Sequence, residues 1–296
     1  MSGAFSLFVI VEGKDHDRYL AQRLCDGSDA LNKRGCEIRT VGQILGDTEL
    51  GGKSVVLSVF ERAKATRKLS QSNSHGRRAV AFFLDRDAEH VVGGRKRSAH
   101  VIYSDHADAE AQAFHESDEV GALANGASLD RQTSMDLLRA IGDWKVDLAD
   151  AWRPWIELCY IAEATRARCW VGFGHETSRI HDGSMCRTLN ASALASAEKA
   201  VSDSTLLSRD DFNTVRAVVL AKIDRAYKRG TQSSLLKGKW LPRQLSEVMK
   251  KQAADSKVTW NSRGFRESIT RCYLAHLDVK RDSNRRLIAK LESLIG

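Results

Sequence analysis

Two apolar runs of strand length, Phe5–Val11 and Ala79–Leu84, each stop dead at a carboxylate, Glu12 in the first case and Asp85 in the second. Both runs are rich in β-branched and aromatic residues and lack polar alternation, the pattern of strands buried on both faces in a parallel sheet. A shorter run, His100–Tyr103, reads as a third strand. Between the first two lie helical patterns. Asp15–Leu24 sets Leu20 and Leu24 four apart behind an acidic first turn, and Lys53–Leu69 puts Val55, Val56, Val59, Phe60 and Ala63 on one stripe. Strand, helix, helix, strand is a βαβ-type order, so the expected fold is α/β with a mostly parallel sheet flanked by helices.

From about residue 120 the texture changes. Helix-like runs such as Met135–Ile141, Ala151–Ala164, Arg216–Tyr227 and Arg285–Leu294 dominate, and the chain's two prolines, Pro154 and Pro242, leave few breakers. The expected organisation is an α/β domain over 1–120 and a mainly helical domain over 121–296. Charge follows the same division. Residues 1–120 carry 17 Lys and Arg against 18 Asp and Glu, whereas residues 222–296 carry 18 against 7. A basic lobe beside a near-neutral one suits a protein that grips a phosphate backbone with one part, although a solvated helical surface has the same composition.

With 42% hydrophobic and 28% charged residues the chain is globular in composition. No stretch approaches the roughly 18 apolar residues of a membrane span. The N-terminal run lacks a basic leader, so a cytoplasmic protein without membrane contact is expected. The cysteines Cys25, Cys36, Cys159, Cys169, Cys186 and Cys272 show no C-x-x-C pairing and are read as reduced thiols.

Chemistry is expected at the strand ends, because open α/β sheets place functional groups just beyond the carboxyl ends of their strands. Glu12 and Asp85 occupy those positions. Asp87, two residues on, would face the same way as Asp85 in extended backbone. Three converging carboxylates repel one another unless a cation neutralises them, and oxygen-only ligands select Mg²⁺ or Mn²⁺. Gly13 suits a tight turn behind Glu12, and Lys14 or Arg86 is placed to contact phosphate.

These residues carry a family resemblance. Val11-Glu12-Gly13-Lys14-Asp15-His16-Asp17 resembles the V-E-G-x-x-D signature of Toprim domains, and Phe83-Leu84-Asp85-Arg86-Asp87 resembles the D-x-D that completes it. The order is similar to the DUF4435 group of Toprim-like proteins, related to overcoming-lysogenization-defect nucleases. In that group an acidic stretch follows the D-x-D, as Asp105–Glu110 does here, and a Gly-Lys turn opens a helix, as Gly51-Gly52-Lys53 does. A weaker echo is Leu236-Lys237-Gly238-Lys239. The resemblance covers residues 5–115. It implies a Toprim-type nuclease of an anti-phage defence system, with Glu12, Asp85 and Asp87 catalytic, Glu110 a further metal ligand, and an ABC-type ATPase or a second copy of the chain as partner. Ala109 and Ala111 are smaller than the residues that usually flank that last glutamate.

Rival readings accompany each motif. The acids at the strand ends can cap the following helix. Gly46–Ser54 looks like a phosphate loop, but Asp47 replaces the first glycine and Glu49 sits inside it, which opposes an anion. His16, His90, His106 and His115 flank the acidic cluster, and His106 leads because it lies inside the acidic stretch. Lys237, Lys239, Trp240 and Arg243 form a candidate nucleic-acid contact, with Trp240 stacking on a base; core packing is the plainer role for Trp144, Trp152, Trp155, Trp170 and Trp260. The leading expectation is hydrolysis of DNA or RNA. The rival is a non-catalytic nucleic-acid-binding or sensor subunit beside an ATPase.

Overall fold

Four of the five residues of the first strand are fully buried, as its uninterrupted apolar run requires. The computed structural model describes residues 6–47, 49–73, 76–174, 177–181 and 188–296; Phe5, Thr48 and Cys186 lie outside them. The chain forms two compact units.

The first unit comprises the chain up to Arg86, Lys96–Ala122 and Thr270–Gly296. Its strands are β1 (Leu7–Val11), β2 (Cys36–Thr40), β3 (Ser70–Asn73), β4 (Gly76–Leu84) and β5 (Val101–Tyr103). They run in the order β2-β1-β4, with every pairing parallel in that stretch: Val11 lies opposite Thr40 on one side and Phe83 on the other. The remaining edge of β4 is shared. β3 runs antiparallel along its first half, and β5 runs parallel along its end, from Phe82↔Val101 to Leu84↔Tyr103. The expected mostly parallel α/β sheet is therefore present. β2 and β3 escape a search for apolar runs, since Cys36-Glu37-Ile38-Arg39-Thr40 alternates like an edge strand and Ser70-Gln71-Ser72-Asn73 is wholly polar.

Helices α1 (His16–Asp26), α2 (Asp29–Arg34), α3 (Val41–Leu45) and α4 (Lys53–Ala65) connect the strands. Val56 and Phe60 of α4 reach the core beside Ile10, Phe82, Leu84 and Tyr103, and the Phe60 and Phe82 rings meet edge to face with centroids 5.4 Å apart.

The second unit comprises Asp87–Arg95 and Leu123–Ile269. It is helical, as the change in texture predicts. A short α5 (Glu89–Val92) precedes α6 (Ala109–Glu116) of the first unit. The chain then runs through α7 (Glu119–Ala127), α8 (Arg131–Ile141), α9 (Trp144–Ala151), α10 (Arg153–Thr165), α11 (Ala191–Ser204), α12 (Arg209–Lys228), α13 (Leu241–Asp255) and α14 (Phe265–Ala275). Pro154 sits in the first turn of α10, where its missing N–H leaves no bond unmade. α10 packs against α11 and α12, and Trp144, Trp152, Trp155 and Tyr160 are among the largest fully buried side chains of the second unit.

The division differs from a single cut at residue 120. The chain leaves the first unit after Arg86, returns at Lys96, leaves again after Ala122, and comes back at Thr270 within α14 to end in α15 (Asp282–Glu292). Leu287, Leu291, Leu294 and Ile295 of that last segment are buried. A stripe of leucines that needs covering outweighs proximity in sequence. Among the described residues no helix is long and apolar enough to cross a membrane.

Candidate functional site

The parallel register fixes where the two strand-end acids stand. Val11 is paired with Phe83, so Glu12 stands level with Leu84 and Asp85 comes one residue further along the adjacent strand; both acids lie at the carboxyl edge of the sheet and are half-buried. Gly13 donates its N–H to Asp17 Oδ2 at 2.6 Å, closing the turn behind Glu12. A Cβ on residue 13 would lie 2.9 Å from that oxygen, so a larger residue here would have to displace the Asp17 carboxylate. Asp17, the last residue of the motif, belongs to the N-terminal turn of α1, as an acid behind this strand is expected to, and is 9% exposed.

Asp85 is held from the other side. Its Oδ1 accepts the N–H of Ala109, the first residue of α6, at 3.1 Å, so the carboxylate sits where the helix presents unpaired donors and the positive end of its dipole. Asp108 caps the same helix through Ala111 N–H at 2.8 Å. Glu110 follows in the first turn, and its Oε1 lies 2.8 Å from His16 Nδ1. This pairing raises the His16 pKa, the hydrogen bond to Glu110 being the main cause and burial opposing it. His106, favoured above from its place in the acidic stretch, bonds Glu116 at 2.8 Å and stacks on His115 with ring centroids 4.4 Å apart. Ser104 receives the Arg86 N–H at 3.0 Å and donates to His106 O at 2.8 Å, tying the β4 and β5 exits together.

Other features of the edge come from the loop before α4. Gly52 has φ +89° and opens the helix, and a Cβ on Gly51 would lie 3.7 Å from the Glu12 carbonyl oxygen. The Lys53 ammonium lies 5.8 Å from the centroid of Tyr103, the last residue of β5. Lys14 is exposed and lies 3.4 Å from Glu49. The Gly-Gly-Lys turn that opens α4 thus brings Lys53 to the end of β5.

Asp87 departs from expectation. Its φ is +47°, a left-handed conformation that Asp tolerates better than most residues, so the strand alternation that would align it with Asp85 ends before it is reached. It opens the second unit, where its carboxylate is bonded by Lys237 and its carbonyl lies 3.1 Å from His90 Nδ1. Lys237 is only 9% exposed, so the buried ammonium serves Asp87 instead of standing ready for nucleic acid. Trp240 is 5% exposed and packs against Trp152 and Phe173 at centroid distances of 5.5 and 5.7 Å; it is a core residue and is closed to base stacking. Lys239 is exposed and Arg243 half-buried.

Among the described residues, no group of three or more His, Cys, Asp or Glu side chains is gathered to hold a metal ion. No three of Glu12, Asp85, Asp87 and Glu110 form such a group; Asp87 is bonded by Lys237, Glu110 by His16 and Asp85 by the Ala109 N–H. No family model and no curated protein sequence matches this chain.

Proposed function

We propose that the chain is a divalent-metal-dependent nuclease that hydrolyses phosphodiester bonds of DNA or RNA, with Glu12 and Asp85 as the acids that would hold Mg²⁺ or Mn²⁺. The observation that carries this reading is the β1/β4 register, which sets two half-buried carboxylates on neighbouring parallel strands at the edge where α/β proteins keep their chemistry. The donor set fits a hard cation. Mg²⁺ commonly binds through one or two carboxylates, with waters and substrate phosphate oxygens filling the remaining positions, so a closed protein cage is not needed. When bound, such an ion activates water and neutralises the charge that develops on phosphate.

The chain's own residues supply the rest. Gly13 and Asp17 hold the turn that follows Glu12, and the α6 N-terminus orients Asp85. The surplus of Lys and Arg over residues 222–296 provides long-range attraction for a polyanion. The likeness to Toprim-like nucleases of defence systems supports the same reaction class, and an ABC-type ATPase partner belongs to that resemblance.

The test uses the full chain with supercoiled DNA and with single-stranded RNA, each in Mg²⁺ and in Mn²⁺. The parent should cleave at least one of them. Glu12→Gln and Asp85→Asn should each slow cleavage by about 100-fold or more while melting at the parent's temperature without metal. Added Mn²⁺ should raise the parent's melting temperature and leave that of both variants unmoved. A Glu12→Gln protein that cleaves at the parent's rate overturns the assignment. Retarded migration of nucleic acid without cleavage in either ion would replace it with the non-catalytic binding role.

A further inference from the structure

Between Glu61 and Asp85 the chain carries six Lys and Arg and no Asp or Glu: Arg62, Lys64, Arg67, Lys68, Arg77 and Arg78. They lie around the end of α4 and the start of β4, both in the first unit. All are exposed except Arg77, which is half-buried, and among the described residues none of the six side chains makes an ion pair or a hydrogen bond. Glu61, the adjoining acid, is taken by Lys96.

The fold draws the two groups together. Val80, Phe82 and Leu84 pack on the side of the sheet that α4 covers, and strand alternation puts Arg78 on that side with them. The Val80 N–H donates to Leu69 O at 2.9 Å, so Lys68 stands one residue and Arg78 two residues from the same bond. β3 completes the surface. Among the described residues it pairs with β4 alone, setting the exposed Gln71 opposite Arg78 and the exposed Ser72 opposite Arg77.

Local stability does not account for this patch. Arg62 and Lys64 complement the C-terminal dipole of α4, but Arg67, Lys68 and Arg78 lie beyond it. Arg67 has φ +56° and follows the capping Thr66, the position where glycine is the usual occupant of a turn closed by Arg67 N–H to Lys64 O at 3.1 Å and Lys68 N–H to Ala63 O at 2.8 Å. A strained cation among like charges costs stability that the fold does not recover. A lipid surface fares no better as an explanation, because it calls for large apolar side chains beside the cations, and none is exposed among the described residues of 61–78.

We propose that the end of α4 and the β3–β4 hairpin form a surface that grips the backbone of a nucleic acid, with Arg67, Lys68 and Arg78 on phosphates and Gln71 and Ser72 on phosphate or sugar oxygens. That the polyanion is a nucleic acid rests on the nuclease reading above. Arg78 stands seven residues before Asp85, roughly 23 Å along an extended strand, so the grip holds phosphates about seven nucleotides away from those at the acidic edge.

Binding is measured apart from cleavage, by fluorescence anisotropy of the full chain in EDTA with a labelled DNA duplex and a labelled single-stranded RNA, each of about 30 nucleotides per strand. Arg67→Gln/Lys68→Gln/Arg78→Gln should bind the preferred nucleic acid at least about tenfold more weakly, and the slope of log affinity against log salt should become shallower by about 2–3. Lys33→Gln/Lys199→Gln/Arg209→Gln removes the same charge at three other exposed sites and should bind within about twofold of the parent. Arg67→Gly should melt no lower than the parent and still bind more weakly, which the loss of a structural arginine would not do; it carries the comparison if the triple variant folds poorly. The proposal is overturned if the parent binds neither nucleic acid, if it prefers phosphatidylserine vesicles, if the patch variants match the parent, or if the control variant loses as much as they do. A parent that binds in EDTA yet cleaves in no metal ends the nuclease reading and leaves the grip standing, whereas cleavage by a parent whose patch variants bind unchanged does the reverse.

Discussion

Gly13 shows how little room the turn after Glu12 leaves. Its N–H and the Asp17 carboxylate are bonded at 2.6 Å, and a methyl group would intrude to 2.9 Å of the accepting oxygen. Gly13→Ala must therefore either expel Asp17 or open the turn behind Glu12. It is expected to lower stability by about 1–3 kcal/mol in urea unfolding, and an unchanged midpoint would show that Asp17 yields freely. His16 offers a titration. Its pKa is raised in the folded chain by Glu110, so the stabilisation from this pair is complete below the ordinary value of 6.5 and fades as pH rises through the folded value. Glu110→Gln should lower the His16 pKa in an NMR titration and flatten the decline of stability above pH 6.5. A His16 that titrates identically in parent and variant would refute the coupling.

At the scale of elements, α6 connects the acidic edge to the end of the chain through one amide. Gln112 is fully buried; its Oε1 accepts the N–H groups of Asp105 and His106 at 3.1 and 3.2 Å, and its Nε2 donates to Ser283 Oγ and Asn284 Oδ1 at 2.8 and 2.9 Å. That uses the hydrogen-bonding capacity of the side chain completely. Gln112→Leu strands several buried partners at once and should destabilise by about 3 kcal/mol, with faster hydrogen exchange concentrated in α15. Exchange in α15 that stays as slow as in the parent would mean the network is not what secures it. The signal for this device was a polar residue within a stretch read only for its acids. β1, β4 and β5 were legible from apolar content; β2 was obscured because Glu37 and Arg39 alternate with Ile38, its one buried aliphatic residue.

For the molecule as a whole, the return of the chain is the feature with the largest consequence. Thr270–Gly296 belongs to the first unit and buries Leu287, Leu291, Leu294 and Ile295. Each large apolar side chain contributes about 1.5–3 kcal/mol when buried, so their joint loss exceeds what a small α/β unit can spare. A chain ending at Ile269 should lose the cooperative melting of the sheet unit by circular dichroism and become protease-sensitive between residues 6 and 86. If it melts like the parent, the last segment is an appendage.

The sequence by itself determined what local physics can encode: which runs are apolar enough to be interior strands, that most of the chain after residue 120 is helical, and that Glu12 and Asp85 close two of those strands. Only the tertiary structure decided which side chains meet. The left-handed turn at Asp87 broke the expected alignment with Asp85, Lys237 and Trp240 became buried partners instead of a nucleic-acid surface, and residues 270–296 rejoined the sheet unit. The reason is physical: periodicity reports burial and conformation along one segment, whereas a carboxylate's partner depends on distances between segments that no spacing records.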